Sequence, residues 1–401
     1  MPPSIPAPDP PLRIHQVLAS HLIGGAGLVG LNLAAHVRDL GHQSHVWVPG
    51  PGPATAQLDR EAISWYRYRL DALKSGGVSQ ALAAGAAGAH VRLSRPHLVH
   101  VHNPTIYGLL SPALRFAGAP MIVHFQIDPT ADEVRWALRH RPAAVITCSR
   151  HIRSLVEASR PPAASDVPVV AVQNAVDLRR FHPGDRAAAR QLVGAAPDRP
   201  LLVMLANLAP HKGQLTVLRA LRHLRDRGVD VDAWFAGEDR GGAGAFAATL
   251  HQATSELGLT DCVRWLGFRD DGPDLLRAAD IFLLPSTHEG LPLSVLEAQA
   301  SGTLVIGAPI PGIAEVIEDD VTGLLIPPDA PEAYAEAIAA LLASPDRSER
   351  IRRAALDIVR SHYSWDHYLE QIRSVYGTAL GRANWDRAAG RDPDQPTSAP
   401  A

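Results

Sequence analysis

Short apolar and β-branched runs alternate along this chain with longer stretches whose apolar positions recur every three or four residues. The first pattern predicts strands and the second predicts amphipathic helices. In the first half the strand pattern falls at residues 14–19, 44–48, 98–102, 121–125, 144–148 and 169–172, with helical segments including 28–40 and 78–93. In the second half it falls at 201–205, 231–236, 263–266, 281–285, 303–307 and 323–326, with helices at 213–227, 244–257, 271–278, 293–301, 312–317 and 331–343. Strand and helix in alternation predict an α/β fold of parallel sheets, because each parallel neighbour needs a crossover that a helix supplies.

A single core stops growing well short of 401 residues, so the pattern implies two domains. The alternation pauses near residues 181–184, which places an N-terminal Rossmann-like domain at 12–182 and a C-terminal one at 183–362. A last helix, within 363–382, carries Tyr368, Ile372, Val375 and Tyr376 on one face and is expected to pack back across the domain junction. Residues 1–11 and 383–401, rich in Pro, Gly, Asp and Ser, are expected to be disordered. Two doubly wound domains facing one another leave a cleft at the carboxyl ends of their strands, where open α/β sheets bind ligands. No repeat of solenoid length interrupts this pattern.

Charge and composition narrow the function classes. A net charge of −3 and a pI near 6.7 argue against a nucleic-acid partner, which calls for a concentrated basic field. Cys148 and Cys262 stand far apart and form no metal or redox motif, as expected in a reducing compartment. No apolar run reaches the length of a bilayer span, and the start, Met1-Pro2-Pro3-Ser4, lacks the basic and apolar regions of a secretory signal. The expectation is cytoplasmic residence, with peripheral contact at the inner membrane face left open.

Two loops carry the candidate chemistry. After the first strand, Gly24-Gly25-Ala26-Gly27-Leu28-Val29-Gly30 opens a helix and contains G-x-G-x-x-G. Ser20 to Ile23 separate it from the strand, and the second strand ends in Pro49-Gly50-Pro51-Gly52 with no acid for a ribose. Both features count against a dinucleotide site. They leave a turn whose backbone can approach an anion, or a tight turn alone.

The stronger signal is Pro285-Ser286-Thr287-His288-Glu289-Gly290-Leu291-Pro292-Leu293-Ser294-Val295-Leu296-Glu297-Ala298. A strand ends, a glycine loop turns, and a helix begins near Pro292, offering free N–H groups and a positive helix end to an anion. Glu289 precedes the helix and Glu297 lies past its first turn. A carboxylate beside a diphosphate is repelled unless neutral diols flank that diphosphate, and carboxylates accept paired hydrogen bonds from diols. Helix capping and a surface ion pair would account for a lone pair of glutamates, but not for this loop between them.

On these residues the chain resembles the family 4 glycosyltransferases of GT-B fold, whose members carry E-G-x-x-x-x-x-x-E after a strand ending in Pro-Ser. The resemblance extends through Gln173-Asn174-Ala175-Val176-Asp177-Leu178-Arg179-Arg180-Phe181 and Ala206-Asn207-Leu208-Ala209-Pro210-His211-Lys212-Gly213. It continues through Ala236-Gly237-Glu238, Leu266-Gly267-Phe268, Ala279-Asp280, Thr322-Gly323-Leu324-Leu325 and Tyr363-Ser364-Trp365. It implies a retaining transferase that moves a hexosyl unit from a nucleoside diphosphate sugar, with no cofactor and no metal.

The resemblance also implies roles. Glu289 would hold the donor sugar hydroxyls, Glu297 the ribose diol, and Lys212 the diphosphate. The N–H groups across Gly290, Leu291, Leu293 and Ser294 would share that charge. His124 would contact the sugar from the other domain, Gly25 and Gly27 would bring backbone to the phosphate or acceptor, and Gly267 and Phe268 would lie at the base. The acceptor is a sugar, a lipid-linked molecule or a small molecule.

Asn207 departs from the family pattern, which places arginine there, so the diphosphate charge falls more on Lys212 and the helix end. Pro311-Gly312 replaces a glycine pair. Two other readings stay open: a GT-B nucleotide-sugar isomerase, and a donor-binding protein without activity. Asp230-Val231-Asp232 is read as a solvated strand start. His100 and His102 are read as strand-end histidines without the further ligands zinc needs. Arg60, Trp65, Tyr66, Arg67, Tyr68 and Arg69 are read either as a partly exposed segment or as a contact for a lipid head group or an anionic acceptor.

Overall fold

The computed structural model describes residues 11–115, 118–239 and 244–381; the proposed arm and tail lie almost wholly outside them. The chain divides into two compact units, one running to Val172 and resuming at Leu369, the other Gln173–Tyr368.

The first unit holds a seven-stranded sheet: β1 Arg13–Val17, β2 Gln43–Val48, β3 Ser64–Arg67, β4 Leu98–Val101, β5 Met121–Phe125, β6 Ala144–Thr147 and β7 Val169–Ala171. Its order is β3-β2-β1-β4-β5-β6-β7, parallel throughout. The second unit holds a six-stranded sheet: β8 Leu201–Leu205, β9 Asp232–Ala236, β10 Val263–Gly267, β11 Ile281–Leu284, β12 Leu304–Gly307 and β13 Leu324–Leu325. Its order is β10-β9-β8-β11-β12-β13, again parallel.

Central strands are buried along their whole length, β4, β5, β6, β11 and β12 among them, which is why they appear in the sequence as unbroken apolar runs. In each sheet the strand order reverses once, between β1 and β4 and between β8 and β11. Such a reversal opens a crevice at the carboxyl edge.

Three features differ from the sequence expectation. Residues 64–67, inside the segment read as partly exposed, form the edge strand β3. Tyr68, which follows it, is buried and donates its hydroxyl to the Leu18 carbonyl at 2.7 Å. Four residues that end in an arginine are too few to show strand periodicity. The helix Pro345–His362 was not anticipated, although Ile351, Ala355 and Val359 form a buried stripe along it.

The division between units also falls about ten residues ahead of the pause at 181–184. The passage from Gln173 is tied into the second unit by Gln173 Nε2 to Glu315 at 2.6 Å, Asn174 Nδ2 to the Leu291 carbonyl at 3.0 Å, and Val176 N to the Tyr363 carbonyl at 2.9 Å. Hydrogen bonding rather than periodicity sets that boundary. The final helix, Trp365–Ala379, begins in the second unit and continues in the first.

Candidate active site

In the second unit the loops that leave β8 and β11 lie side by side, because those strands pair Ile281 with Leu202 and Phe282 with Val203. The first loop ends in a short 3-10 turn, Pro210–Lys212, that feeds the helix Gln214–Asp226. The second runs from Pro285 to Pro292 and feeds the helix Leu293–Ala300. The Thr287 N–H donates to the His211 carbonyl at 2.8 Å and zips them together.

Lys212 Nζ and Glu289 Oε1 meet here at 2.6 Å, with side chains 19% and 10% exposed. These two sequence candidates, 77 positions apart, share one charge-assisted hydrogen bond. Gly213 makes the placement possible. Its φ is +80°, and a Cβ there would lie 2.3 Å from the Pro285 carbonyl oxygen, so only glycine lets the lysine turn seat against the second loop.

The glutamate loop rests on Gly312, the glycine kept in the Pro311-Gly312 pair. A Cβ on Gly312 would stand 2.2 Å from the Glu289 carbonyl oxygen and 2.6 Å from that of Gly290. The segment Pro311–Ala314 therefore sets the height of the loop. Gly290 and Leu291 are buried, Leu293 and Ser294 half-buried, and the Leu291 carbonyl is held by Asn174. Pro292 is the residue before the helix, no side chain caps the helix start, and its first turn carries no acid. Those N–H groups and the helix dipole favour an anion.

Glu297, further along the same helix, is half-buried, and no side-chain partner for its carboxyl is found among the described residues. Burial pushes its pKa up to about 7, with the Arg180 guanidinium opposing the shift. Arg180 is an exposed residue of the passage segment that donates to the Asp270 carbonyl at 2.8 Å. His211 is lowered by burial and by neighbouring Lys212, and Glu289 works the other way.

Asn207 lies exposed after β8, where its carbonyl accepts from Gln214 Nε2 at 2.9 Å. Gly267 closes β10 at φ +66°, its carbonyl accepting from Gly237 N at 2.8 Å, and Phe268 beside it is 54% exposed. An exposed aromatic at a strand's carboxyl end is suited to stacking on a planar base. Asp232, half of the D-x-D, opens β9 as expected, but it is half-buried and paired with Arg199 at 3.2 Å rather than solvated.

The remaining candidates, His124, Gly25 and Gly27, belong to the first unit. The helix Gly25–Asp39 starts in the glycine turn with no acid in its first turn. Nothing lies within 4 Å of a Cβ on Gly25, Gly27 would meet the Leu22 carbonyl at 3.2 Å, and Gly30 would meet Leu18 at 2.3 Å. Close packing is thus demanded at Gly30, while Gly25 is open and exposed.

His124 is fully buried, and neither ring nitrogen has a hydrogen-bond partner. It stands with His100 and His102, their ligand atoms within 4.8 Å of one another. The reading of His100 and His102 as histidines lacking a further ligand is corrected by this third imidazole. It escaped the sequence analysis because strand pairing, not sequence proximity, brings β5 to β4. Among the described residues no helix is long and apolar enough to cross a membrane.

Comparison with known proteins agrees with this geometry. The family model "Glycosyl transferases group 1" matches residues 185–357, and "Glycosyl transferase 4-like domain" matches residues 24–175. A D-inositol 3-phosphate glycosyltransferase of Nocardia farcinica is 31% identical over 304 residues, covering 73% of this chain and 64% of that protein. One from Saccharomonospora viridis is 35% identical over 224 residues, 52% of each chain. The match thus spans about half to two thirds of the length of these curated relatives.

Among solved structures, Anabaena Alr3699/HepE in complex with UDP-glucose superposes with a TM-score of 0.81 at 21% identity, over 92% of this chain and 100% of that one. A glycosyltransferase from Rickettsia africae gives 0.80 at 20% identity, over 92% and 99%. The chain's two parallel α/β sheets form the GT-B fold shared with those neighbours. With both of its characteristic domains matched in order, the chain belongs to the group 1, family 4-like glycosyltransferases.

Proposed function

We propose that this chain transfers a hexosyl unit from a nucleoside diphosphate sugar to a hydroxyl-bearing acceptor, with retention at the anomeric carbon. The observation that carries the reading is the Lys212–Glu289 pair at the strand reversal of the second unit, beside an uncapped helix start. On this reading the donor enters with its diphosphate over the helix start. Lys212 leaves Glu289 to meet the phosphate charge as a flexible point cation, and the freed carboxylate accepts from the sugar hydroxyls. Glu297 accepts from the ribose diol, and Phe268 lies against the base. The complex of Alr3699/HepE with UDP-glucose supports a UDP-hexose as the first donor to try.

As the glycosidic bond to the diphosphate breaks, negative charge builds on the leaving phosphate. Lys212 and the N–H groups from Gly290 to Ser294 stabilise it, which is the main catalytic contribution. With Asn207 in the arginine position, that task rests on fewer charges. We assign no metal to the transfer step. Attack from the face the diphosphate leaves, with the leaving phosphate taking the acceptor proton, gives retention without a carboxylate nucleophile. We assign the glycine turn at Gly25 and Gly27 to the acceptor or the phosphate.

Nucleoside diphosphate release from UDP-, GDP- and ADP-hexoses, with and without EDTA, tests this. Release from one donor, insensitive to EDTA and reduced about 100- to 1,000-fold in Glu289→Ala, is the expected result. Donor binding without release on any acceptor, or conversion of the nucleotide sugar with no acceptor, overturns it in favour of a binding protein or an isomerase.

A further inference from the structure

The buried histidines of the first unit are unusual for a protein interior. His100 and His102 alternate on β4, so their side chains leave the same face of the sheet. In the β4–β5 register His100 sits beside Ile122 and Val101 beside Val123, which brings His124 to the same face, next to His102. The three rings lie 4.1, 5.3 and 5.5 Å apart between centroids. Four polar atoms here lack a partner: His100 Nε2, both ring nitrogens of His124, and Gln126 Oε1. Buried polar groups are nearly always satisfied, and four orphans in and beside one histidine cluster call for an occupant.

We infer that His100, His102 and His124 bind one divalent transition-metal ion, zinc being the first candidate, at the strand reversal of the first unit. Three imidazoles suit zinc, which they hold at about 2.0–2.1 Å, so the ligand nitrogens close to roughly 3.3 Å from their present separation. The outer groups are already in place. His102 Nε2 donates to Gln16 Oε1 at 2.8 Å, leaving Nδ1 as its ligand atom, now 3.2 Å from Gln126 Nε2. His100 Nδ1 lies 2.8 Å from the Tyr376 hydroxyl, leaving the orphan Nε2 as ligand. Gln16 Nε2 donates to the same hydroxyl at 3.2 Å. Holding the second ring nitrogen in this way fixes the tautomer and orients a ligating histidine.

The fourth position falls to Gln126 Oε1 or a water. Burial keeps all three imidazoles neutral, His102 down to about 3 and the other two well below the usual histidine range, as metal ligation requires. A Cβ on Gly30 would stand 3.2 Å from the His102 ring and Gln126 Nε2 reaches the Ala26 carbonyl at 3.5 Å, so the ion would brace the glycine turn.

The test uses the full chain without an affinity tag, stripped with a chelator, reloaded, and gel-filtered. One zinc per chain by elemental analysis is expected, together with cobalt(II) producing visible d–d bands that zinc abolishes. Affinity should fall at least about 100-fold in His124→Gln and in His100→Gln, each checked for folding by circular dichroism. The metal should raise the melting temperature of the wild type and not of the variants. Wild type that retains no metal and gives no cobalt spectrum overturns the inference and leaves water among the rings. So does metal binding that is undiminished in both folded variants.

Discussion

Both units reverse strand order once and place a glycine-bearing loop at the reversal, yet they furnish it in opposite ways. At the β8–β11 reversal the groups are charged and partly open: Lys212 and Glu289 are paired but reachable, Glu297 is half-buried, and Phe268 is exposed. At the β1–β4 reversal the groups are neutral and closed, with His100, His102 and His124 all buried. Charge held near the surface of a crevice can be redirected to a ligand at small cost, because water already screens part of it. The imidazoles stand on central strands, closed off from solvent. The first arrangement suits a substrate that comes and goes, and the second suits a group that stays.

The comparison breaks most visibly where the charged region is anchored. Arg190 and Asp280 pair at 2.5 Å with side chains 10% and 16% exposed, and Asp280 also accepts from Leu201 N at 2.8 Å, at the start of β8. Asp280→Ala strands a buried guanidinium and should cost about 3–5 kcal/mol of stability, read by urea denaturation.

Next in size is Gly213→Ala. A side chain at φ +80° aimed at the Pro285 carbonyl should cost about 2 kcal/mol or more and displace Lys212, lowering donor affinity along with melting temperature.

Glu297 sharpens the comparison through pH. Its folded pKa, pushed up to about 7, lies above the value of an unfolded glutamate. The neutral form therefore stabilises the fold fully below the unfolded pKa, and that contribution is lost as pH rises through about 7. A ribose diol is bound best by the ionised form, so affinity for a nucleotide sugar should rise several-fold between about pH 6 and 8. Glu297→Gln should flatten that profile, as isothermal titration across the range would show, and should melt higher than wild type above pH 7. The smallest effect is expected in the first unit. Gly25→Ala meets nothing within 4 Å, and thermal melts should show no loss of stability, with a gain of up to about 1 kcal/mol from helix propensity.

Much of this architecture was legible before any coordinates. Parallel strands buried on both faces leave apolar runs, so β5 and β8 fall where the pattern puts them, residue for residue. β3 was missed because an edge strand of four residues, Ser64–Arg67, carries its own charge. Glu289 stood out because it sits in a strand–glycine loop–helix passage, whereas Lys212 came from the family resemblance alone. Gly312 did not stand out, since its importance lies in a carbonyl of another loop. The histidine cluster was half visible as H-x-H, and its third member depends on which strand lies beside β4, a fact of topology that one strand's pattern does not contain.

The central claim is that the Lys212–Glu289 site holds the diphosphate of a sugar nucleotide. Calorimetric titration of wild type and Lys212→Met with the nucleotide sugar selected by the release assay addresses it directly. The prediction is binding to wild type and a loss of at least about tenfold in the variant, measured where both proteins are folded. Equal affinity in the two folded proteins would contradict it.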